Sequence, residues 1–193
     1  MRHAVSTPMK RATILVLAAV CAACDPGGDG KPEKAAAPLA ASAPSAAETQ
    51  AIAPESLKQP IRFAAEALPS FVKRTYGIGK AETFGRWSTG KLAIIELNGT
   101  LPPKFDLELV AGGFGPNVGA KARIIIGAMA KDVVISGDVG AASNHVVSFD
   151  GIGAESIIAI EVAVPTSPAE LGKGDDARKL GLALVSITIR QKP

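Results

Sequence analysis

The sequence predicts an all-β domain, an antiparallel β-sandwich or jelly roll of about eight strands. Three observations predict it. Between Phe105 and Ala111 the side chains alternate with a period of two: Phe105, Leu107, Leu109 and Ala111 interleave with Asp106, Glu108 and Val110. Around this segment, short runs rich in β-branched residues recur about every ten residues, divided by Gly, Pro, Asn or Ser clusters. There is no internal repeat and no alternation of strands with long helical patterns, which argues against a parallel nucleotide-binding sheet.

Taken in order, the first predicted strand is Leu92–Leu97 (LAIIEL), closed by the turn signal Asn98-Gly99. The alternating strand at 105–111 follows, then Ala122–Ile126, Asp132–Ile135, His145–Phe149 and Ile157–Val164. The last is Leu180–Ile189. Leu180, Leu182 and Leu184 fall on one face by simple alternation, and Ala183, Val185, Ile187 and Ile189 on the other. A strand apolar on both faces is expected at the centre of a sheet, not as a trailing tail. Helical signals are confined to one turn at Pro168–Leu171 and the Pro-bounded stretch Pro60–Val72, a poor helix former.

The N-terminus has a different character. Met1–Ala23 carries Arg2, Lys10 and Arg11 but no acidic residue, and the apolar run Ala12–Ala23 leads into Cys24. That is the pattern of a secretory signal over residues 1–23, and the run falls short of the ~20 residues a bilayer crossing needs. Ala22-Ala23-Cys24 resembles a lipobox, with Cys21 standing where leucine is usual. Two outcomes follow. Either Cys24 is acylated and anchors the chain, or an ordinary signal is removed and the cysteine is incidental. Both export the protein, and the anchored reading is the expectation carried forward, in the periplasm. Asp25 resembles an inner-membrane retention signal and favours that membrane. The segment after the cysteine, to residue 55, is mostly Ala, Pro, Gly and Ser without an aromatic residue. It is expected to form an extended tether, leaving residues 56–193 as the folded domain.

Composition excludes several functions. Of 21 Lys+Arg and 18 Asp+Glu, three basic residues and no acidic ones lie in the signal, so the exported chain carries 18 of each. A neutral chain has no footprint for nucleic acid and no polybasic attraction to anionic lipid. Cys21 and Cys24 both lie in or beside the signal, so the domain must be stable without disulfides. From Pro60 onward it has ~130 residues, enough to bury well over half of its unfolded surface.

Catalytic constellations are scarce. His145 is the one histidine past the signal, it lies in a predicted strand, and no G-x-S-x-G elbow presents a serine to it. One histidine and a cysteine at the anchor cannot close a zinc site. Gly112–Lys121 lacks the spacing of a phosphate loop and reads as a wide turn. Asp175-Asp176 reads as a solvated turn paired with Arg178, in preference to a calcium site. No cofactor and no metal is expected, and the chain is expected not to be an enzyme.

Two peptides stand out: Phe84-Gly85-Arg86-Trp87-Ser88-Thr89-Gly90, with the only tryptophan, and Ser167–Gly172 followed by Asp176–Leu184. Arg86, Trp87, Glu170 and Arg178 are expected to converge, because the first strand of a jelly roll commonly pairs near the last. The cluster has two readings. In a structural clasp the indole is buried and the charges pair with one another; in a ligand site the indole lies open for sugar stacking. The candidate ligand residues are Arg86, Trp87, Asn117, Glu170, Asp176 and Arg178.

Together these peptides resemble an uncharacterised β-sandwich domain found at the periplasmic C-terminal end of membrane-bound phosphoglycerol transferases and of envelope glycosyltransferase-like proteins. The matching pieces are Ile61-Arg62-Phe63, Pro69–Val72, Gly85–Ser88, Phe114–Asn117, Ser167–Gly172 and Arg178–Leu184, spanning Ile61 to Ile189. Phe84 departs from a Trp frequent at that position. The catalytic membrane enzyme usually joined to this domain is missing from the sequence. The resemblance therefore implies a non-catalytic accessory module of the envelope, binding a glycan or a glycerophosphate-decorated polymer. The alternative is a module that docks onto a membrane-bound transferase, which the 4% aromatic content favours.

Overall fold

The computed structural model describes residues 50–193; the signal, Cys24 and most of the tether lie outside the described residues. In chain order the strands are β1 (Ile61–Arg62), β2 (Val72–Tyr76), β3 (Arg86–Thr89), β4 (Leu92–Leu97), β5 (Lys104–Gly113), β6 (Lys121–Ile126), β7 (Met129–Val134), β8 (Ser143–Asp150), β9 (Ile157–Glu161) and β10 (Leu180–Gln191). They form two five-stranded antiparallel sheets. In the first, β10 has β5 and then β8 on one side, while β1 and β3 share its other edge. The second runs β2-β4-β9-β6-β7.

The strict alternation in β5 turns Phe105, Leu107, Leu109 and Ala111 inward, all fully buried. They meet Ala93, Ile95 and Leu97 of β4, Ile158 and Ile160 of β9, and Ala122, Ile124 and Ile126 of β6 in one core. Phe105 stacks on Phe149 of β8 with ring centroids 5.4 Å apart. Burying each of the Leu, Ile and Phe side chains contributes about 1.5–3 kcal/mol, so this layer between the sheets carries the fold.

The last strand is central, but not for the expected reason. β10 pairs with β5 on one edge and with β3 and β1 on the other, and its register against β5 shifts between Leu184 and Ser186. This bulge reverses the parity of the side chains. Leu182 and Leu184 before it, and Ile187 and Ile189 after it, all line the same core. Beyond the bulge Ser186, Thr188 and Arg190 occupy the outer face, so the expected two-sided apolar strand is corrected for that half; before it, Ala183 packs in a second apolar cluster while Leu182 and Leu184 line the core.

Other differences are local. The turn after β6 is at Gly127, and β7 begins at Met129 instead of Asp132 because Met129 pairs with Ile126. The predicted turn at Pro168–Leu171 is a short 3-10 turn at Ala169–Leu171. A further helical turn, at Pro54–Leu57, was not signalled. Folded structure also starts earlier than residue 56. The Ile52 and Thr100 amides bond to the carbonyls of Thr100 and Gln50, and Ile52 and Leu57 are buried in the core. Two apolar side chains spaced along an Ala/Pro-rich stretch are enough to draw it onto the sandwich.

Candidate functional site

The peptide Gly85–Ser88 leads into and forms β3, and each residue is tied to a neighbour. At Gly85 a Cβ would sit 2.0 Å from the Leu184 carbonyl oxygen, so only glycine lets the chain come this close to β10. Arg86 donates from Nε to the Phe63 carbonyl (3.1 Å), and from Nη2 to those of Ala65 (3.1 Å) and Glu66 (3.0 Å). Trp87, 8% exposed, packs with Leu180 and Ala183 in a cluster separate from the main core. Phe84 and Phe114 meet it edge-on, with centroids at 5.1 and 5.5 Å. Ser88 is buried, and its Oγ accepts the Leu182 amide at 2.7 Å, just where the β3–β10 register breaks.

The second peptide is also self-bracing. Ser167 and Glu170 form a capping box: the Ser167 amide donates to Glu170 Oε2 (3.0 Å) and the Glu170 amide to Ser167 Oγ (3.2 Å). Gly172 ends the turn in the left-handed region at φ 65°. Glu170 also takes Lys179 Nζ, and that hydrogen bond, followed by the one from the Ser167 amide, holds its carboxyl below the usual range. Asp176 accepts the Arg178 guanidinium from Nε (2.9 Å) and Nη2 (2.7 Å), which lowers its pKa, and Arg178 Nη1 reaches Glu82 at 3.5 Å. Asn117 is a buried staple. Its Nδ2 donates to the Phe114 and Val164 carbonyls (3.0 and 2.8 Å), and its Oδ1 accepts the Val164 amide (3.0 Å).

Among the described residues, no hydrogen bond or ion pair joins Arg86 to Glu170 or Arg178. Arg86 and Trp87 are consecutive on a strand and so point to opposite faces. Two hollows result. An open groove of about 710 Å³ is lined by Ala64, Glu66, Lys80, Ala81, Glu82, Thr83 and Arg86. Arg178 reaches its wall through Glu82. On the other side, a cup of about 310 Å³ has Trp87, Phe114, Val118 and Val139 around Asp138 and Lys173. The groove offers donors and acceptors of both signs suited to hydroxyl groups.

A family model described as a domain of unknown function, DUF7024, matches residues 48–191. The chain belongs to this family. The match reaches the N-terminal residues that Ile52 ties to the core. This DUF7024 chain is also similar to the C-terminal region of phosphoglycerol transferase I. It is 31% identical to the Escherichia fergusonii protein over 137 residues, covering 67% of this chain and 17% of that one. It is 34% identical to the Salmonella arizonae protein over 131 residues, covering 66% and 17%. The chain thus spans about a sixth of the length of these relatives. Among solved structures, a mutant of CBM29-2, a family 29 carbohydrate binding module, aligns at TM-score 0.46 with 10% identity, over 69% of this chain and 90% of that one. The BiXyn10A CBM1 structure aligns at TM-score 0.43 with 11% identity, over 70% and 98%.

Two features of the DUF7024 domain were not singled out in the sequence as they stand in the fold. His145 Nε2 lies 2.9 Å from Ser143 Oγ, which accepts Ser136 Oγ at 3.1 Å. Burial pushes the imidazole pKa down, leaving it neutral at pH 7. Among the described residues nothing orients its other ring nitrogen, and no group of three or more His, Cys, Asp or Glu is placed to hold a metal ion. No helix among them is long and apolar enough to cross a membrane. The second feature is the outer face of the second sheet, where Tyr76, Leu92 and Ile157 are 47, 42 and 44% exposed. Its signal was legible: LAIIEL, ARIII and IIAIE are apolar at consecutive positions, so one of each pair must face outward.

Proposed function

We propose that this chain is a non-catalytic accessory module of the bacterial envelope that binds a glycan or a glycerophosphate-bearing polymer along the groove beside Arg86. The observation that carries the reading is the 31–34% identity to a stretch of phosphoglycerol transferase I. The groove supports it: Lys80, Thr83, Glu66 and Glu82 supply the mixed donors and acceptors a polyhydroxyl chain needs. In this reading Arg86 fixes the loop at residues 63–66, Asp176 and Arg178 brace the wall at Glu82, and Trp87, Asn117 and Glu170 hold the supporting turns. Export through residues 1–23 and acylation at Cys24 complete the proposal, placing the domain in the periplasm beside the inner membrane. Replacing Cys24 with Ser should then move the protein out of the membrane fraction.

The decisive experiment titrates the exported chain with an envelope glucan, bare and phosphoglycerol-substituted, by calorimetry. Binding should weaken about tenfold in Lys80→Ala, a loss of ~1.4 kcal/mol, with an unchanged melting temperature. No heat with either glucan would overturn the glycan reading. A second reading, docking onto a membrane-bound transferase, is favoured by the apolar outer face of the second sheet.

A further inference from the structure

On the second sheet the outward residues form a row that crosses every strand. Tyr76 lies opposite Ile94, Ile94 opposite Ala159, Ala159 opposite Ile125, and Ile125 opposite Ala130. With strands about 4.8 Å apart, the row is about 19 Å long. The flanking rows lie two residues away along each strand. One holds Arg74, Glu96 and Ile157, the other Leu92, Glu161, Arg123 and Asp132, so each is charged over only part of its length. Leu92 and Ile157 widen the apolar stripe diagonally.

We propose that this stripe docks an amphipathic helix of a partner protein, about 13 residues long, apolar on one side and acidic along the edge that lies over Lys73 and Arg74. Width selects the occupant. The charged rows stand about 7 Å to either side of the stripe, so a helix ~10 Å across covers the aliphatic row and leaves the rims in water. A second sheet, including a second copy of this chain, would cover three rows and strip water from Glu96, Glu161, Arg123 and Asp132. In addition, β9 is the middle strand. Two-fold packing centred on it would set Glu161 against either its own counterpart or Ile157. A glycan is a poor occupant because Tyr76 is the one aromatic in the row.

Charge selects the edge. Glu96 is shared by Lys73 Nζ and Arg74 Nε. Arg74 also lies over the Tyr76 ring, 5.2 Å from its centroid. The Arg74 side chain is 56% exposed and that of Glu96 16%, so this rim presents cations. The opposite rim pairs Arg123 with Asp132 at 2.9 Å and adds the Glu161 carboxylate beside them, so it is net acidic. The stripe, about 19 by 10 Å, is far smaller than the ~800 Å² per partner of a standing complex. Docking is therefore weak unless the partner is held close by.

This inference requires a protein partner and does not depend on the groove. The test follows the backbone amide resonances of the full chain as it is titrated with a synthetic 14-residue Leu/Ala helix carrying glutamates along one edge. The same peptide with lysines there is the control. The expected result is shifts confined to the outer face of the second sheet, from β2 across β4, β9 and β6 to β7, tighter binding of the glutamate peptide, and at least a tenfold loss in Ile157→Asp with the melting temperature unchanged. Lys73→Gln with Arg74→Gln should erase the preference between the peptides. Absence of shifts on the stripe, or equal binding of both peptides by the unaltered chain, overturns the inference. So does a concentration-dependent dimer abolished by Ile157→Asp, or stripe shifts produced by a glucan instead. Loss of glucan binding in Lys80→Ala tests the groove separately.

Discussion

The two outer faces of the sandwich use their residues differently. On the first sheet, Asp106 accepts Ser148 Oγ at 2.6 Å and lies 3.0 Å from Lys192 Nζ. Glu108 accepts Asn144 at 2.6 Å and Arg190 at 2.9 Å. These polar groups answer one another across β8, β5 and β10. On the second sheet the charges are pushed to two rims and the space between is aliphatic. Both faces satisfy the same requirement, a buried inner side, so the core does not dictate the difference. A face whose polar groups satisfy each other is ordinary solvated surface. The first face leaves Val146 exposed among such polar groups, whereas the second lines up Ile, Leu and Tyr side by side, which is where we place the proposed contact.

The largest expected effects lie between the faces. Leu107→Ala in β5 and Ile160→Ala in β9 should each cost about 2–5 kcal/mol in urea unfolding. The outward-facing Glu108→Ala and Ile157→Ala should each cost far less. A large loss at Ile157 would mean the stripe is already covered within the chain, and the contrast between faces would collapse. Trp87→Ala should cost about 3 kcal/mol or more, because the indole fills the cluster of Phe84, Phe114, Leu180 and Ala183. A stable Trp87→Ala protein that loses glycan binding would restore the open-platform reading.

Smaller effects sharpen the picture. Ser88→Ala leaves the buried Leu182 amide without its acceptor and should lower stability by about 1–3 kcal/mol; Ser88→Thr, which keeps a hydroxyl, should recover part of it. A double-mutant cycle on Glu108 and Arg190 should give only a small coupling, shrinking with salt.

The smallest expected effect is the pH dependence. Hydrogen bonds lower Glu108 (from Arg190, then Asn144) and Asp106 (from Ser148, then Lys192) on one face. They lower Glu96 (from Lys73, then Arg74) and Asp132 (from Arg123) on the other. A carboxylate lowered in the folded state contributes stability above its unfolded value of about 4, and that stability is lost as pH falls through the folded value. His145 is lowered by burial. Its unfolded form binds protons first, so it too subtracts stability as pH falls below about 6.5. The melting temperature should therefore be level from pH 7 to 8, slip slightly below 6.5 and fall more steeply below about 4. His145→Gln should remove the first step alone; a His145→Gln curve unchanged between pH 5 and 7 would show that the imidazole is not desolvated.

Much of the fold was legible because it rests on local periodicity. Phe105 to Ala111 announced an inward face, and the β-branched runs of β4, β6, β8 and β9 announced strands. The strands missed, β1, β2 and β3, are short or sit at an edge, where Lys73, Arg74 and Arg86 break the alternation. Of the candidate site, the residue types in Gly85–Ser88 and Ser167–Glu170 were visible. Their partners were not visible. The Phe63, Ala65 and Glu66 carbonyls under Arg86, the Leu182 amide on Ser88 and the Val164 backbone on Asn117 lie 20 to 94 residues away along the chain.

The sequence by itself determined the all-β class and the inward face of β5. It also set the balance of 18 basic and 18 acidic residues beyond residue 23, since each follows from composition or from neighbours within a few positions. Only the tertiary structure decided that a bulge between Leu184 and Ser186 returns β10 to one core, that Trp87 is closed in by Phe84 and Phe114, and that Tyr76, Ile94, Ala159, Ile125 and Ala130 align. Those outcomes depend on the register between strands distant in sequence. Register is fixed by the whole pattern of side chains buried between the sheets, not by any one strand.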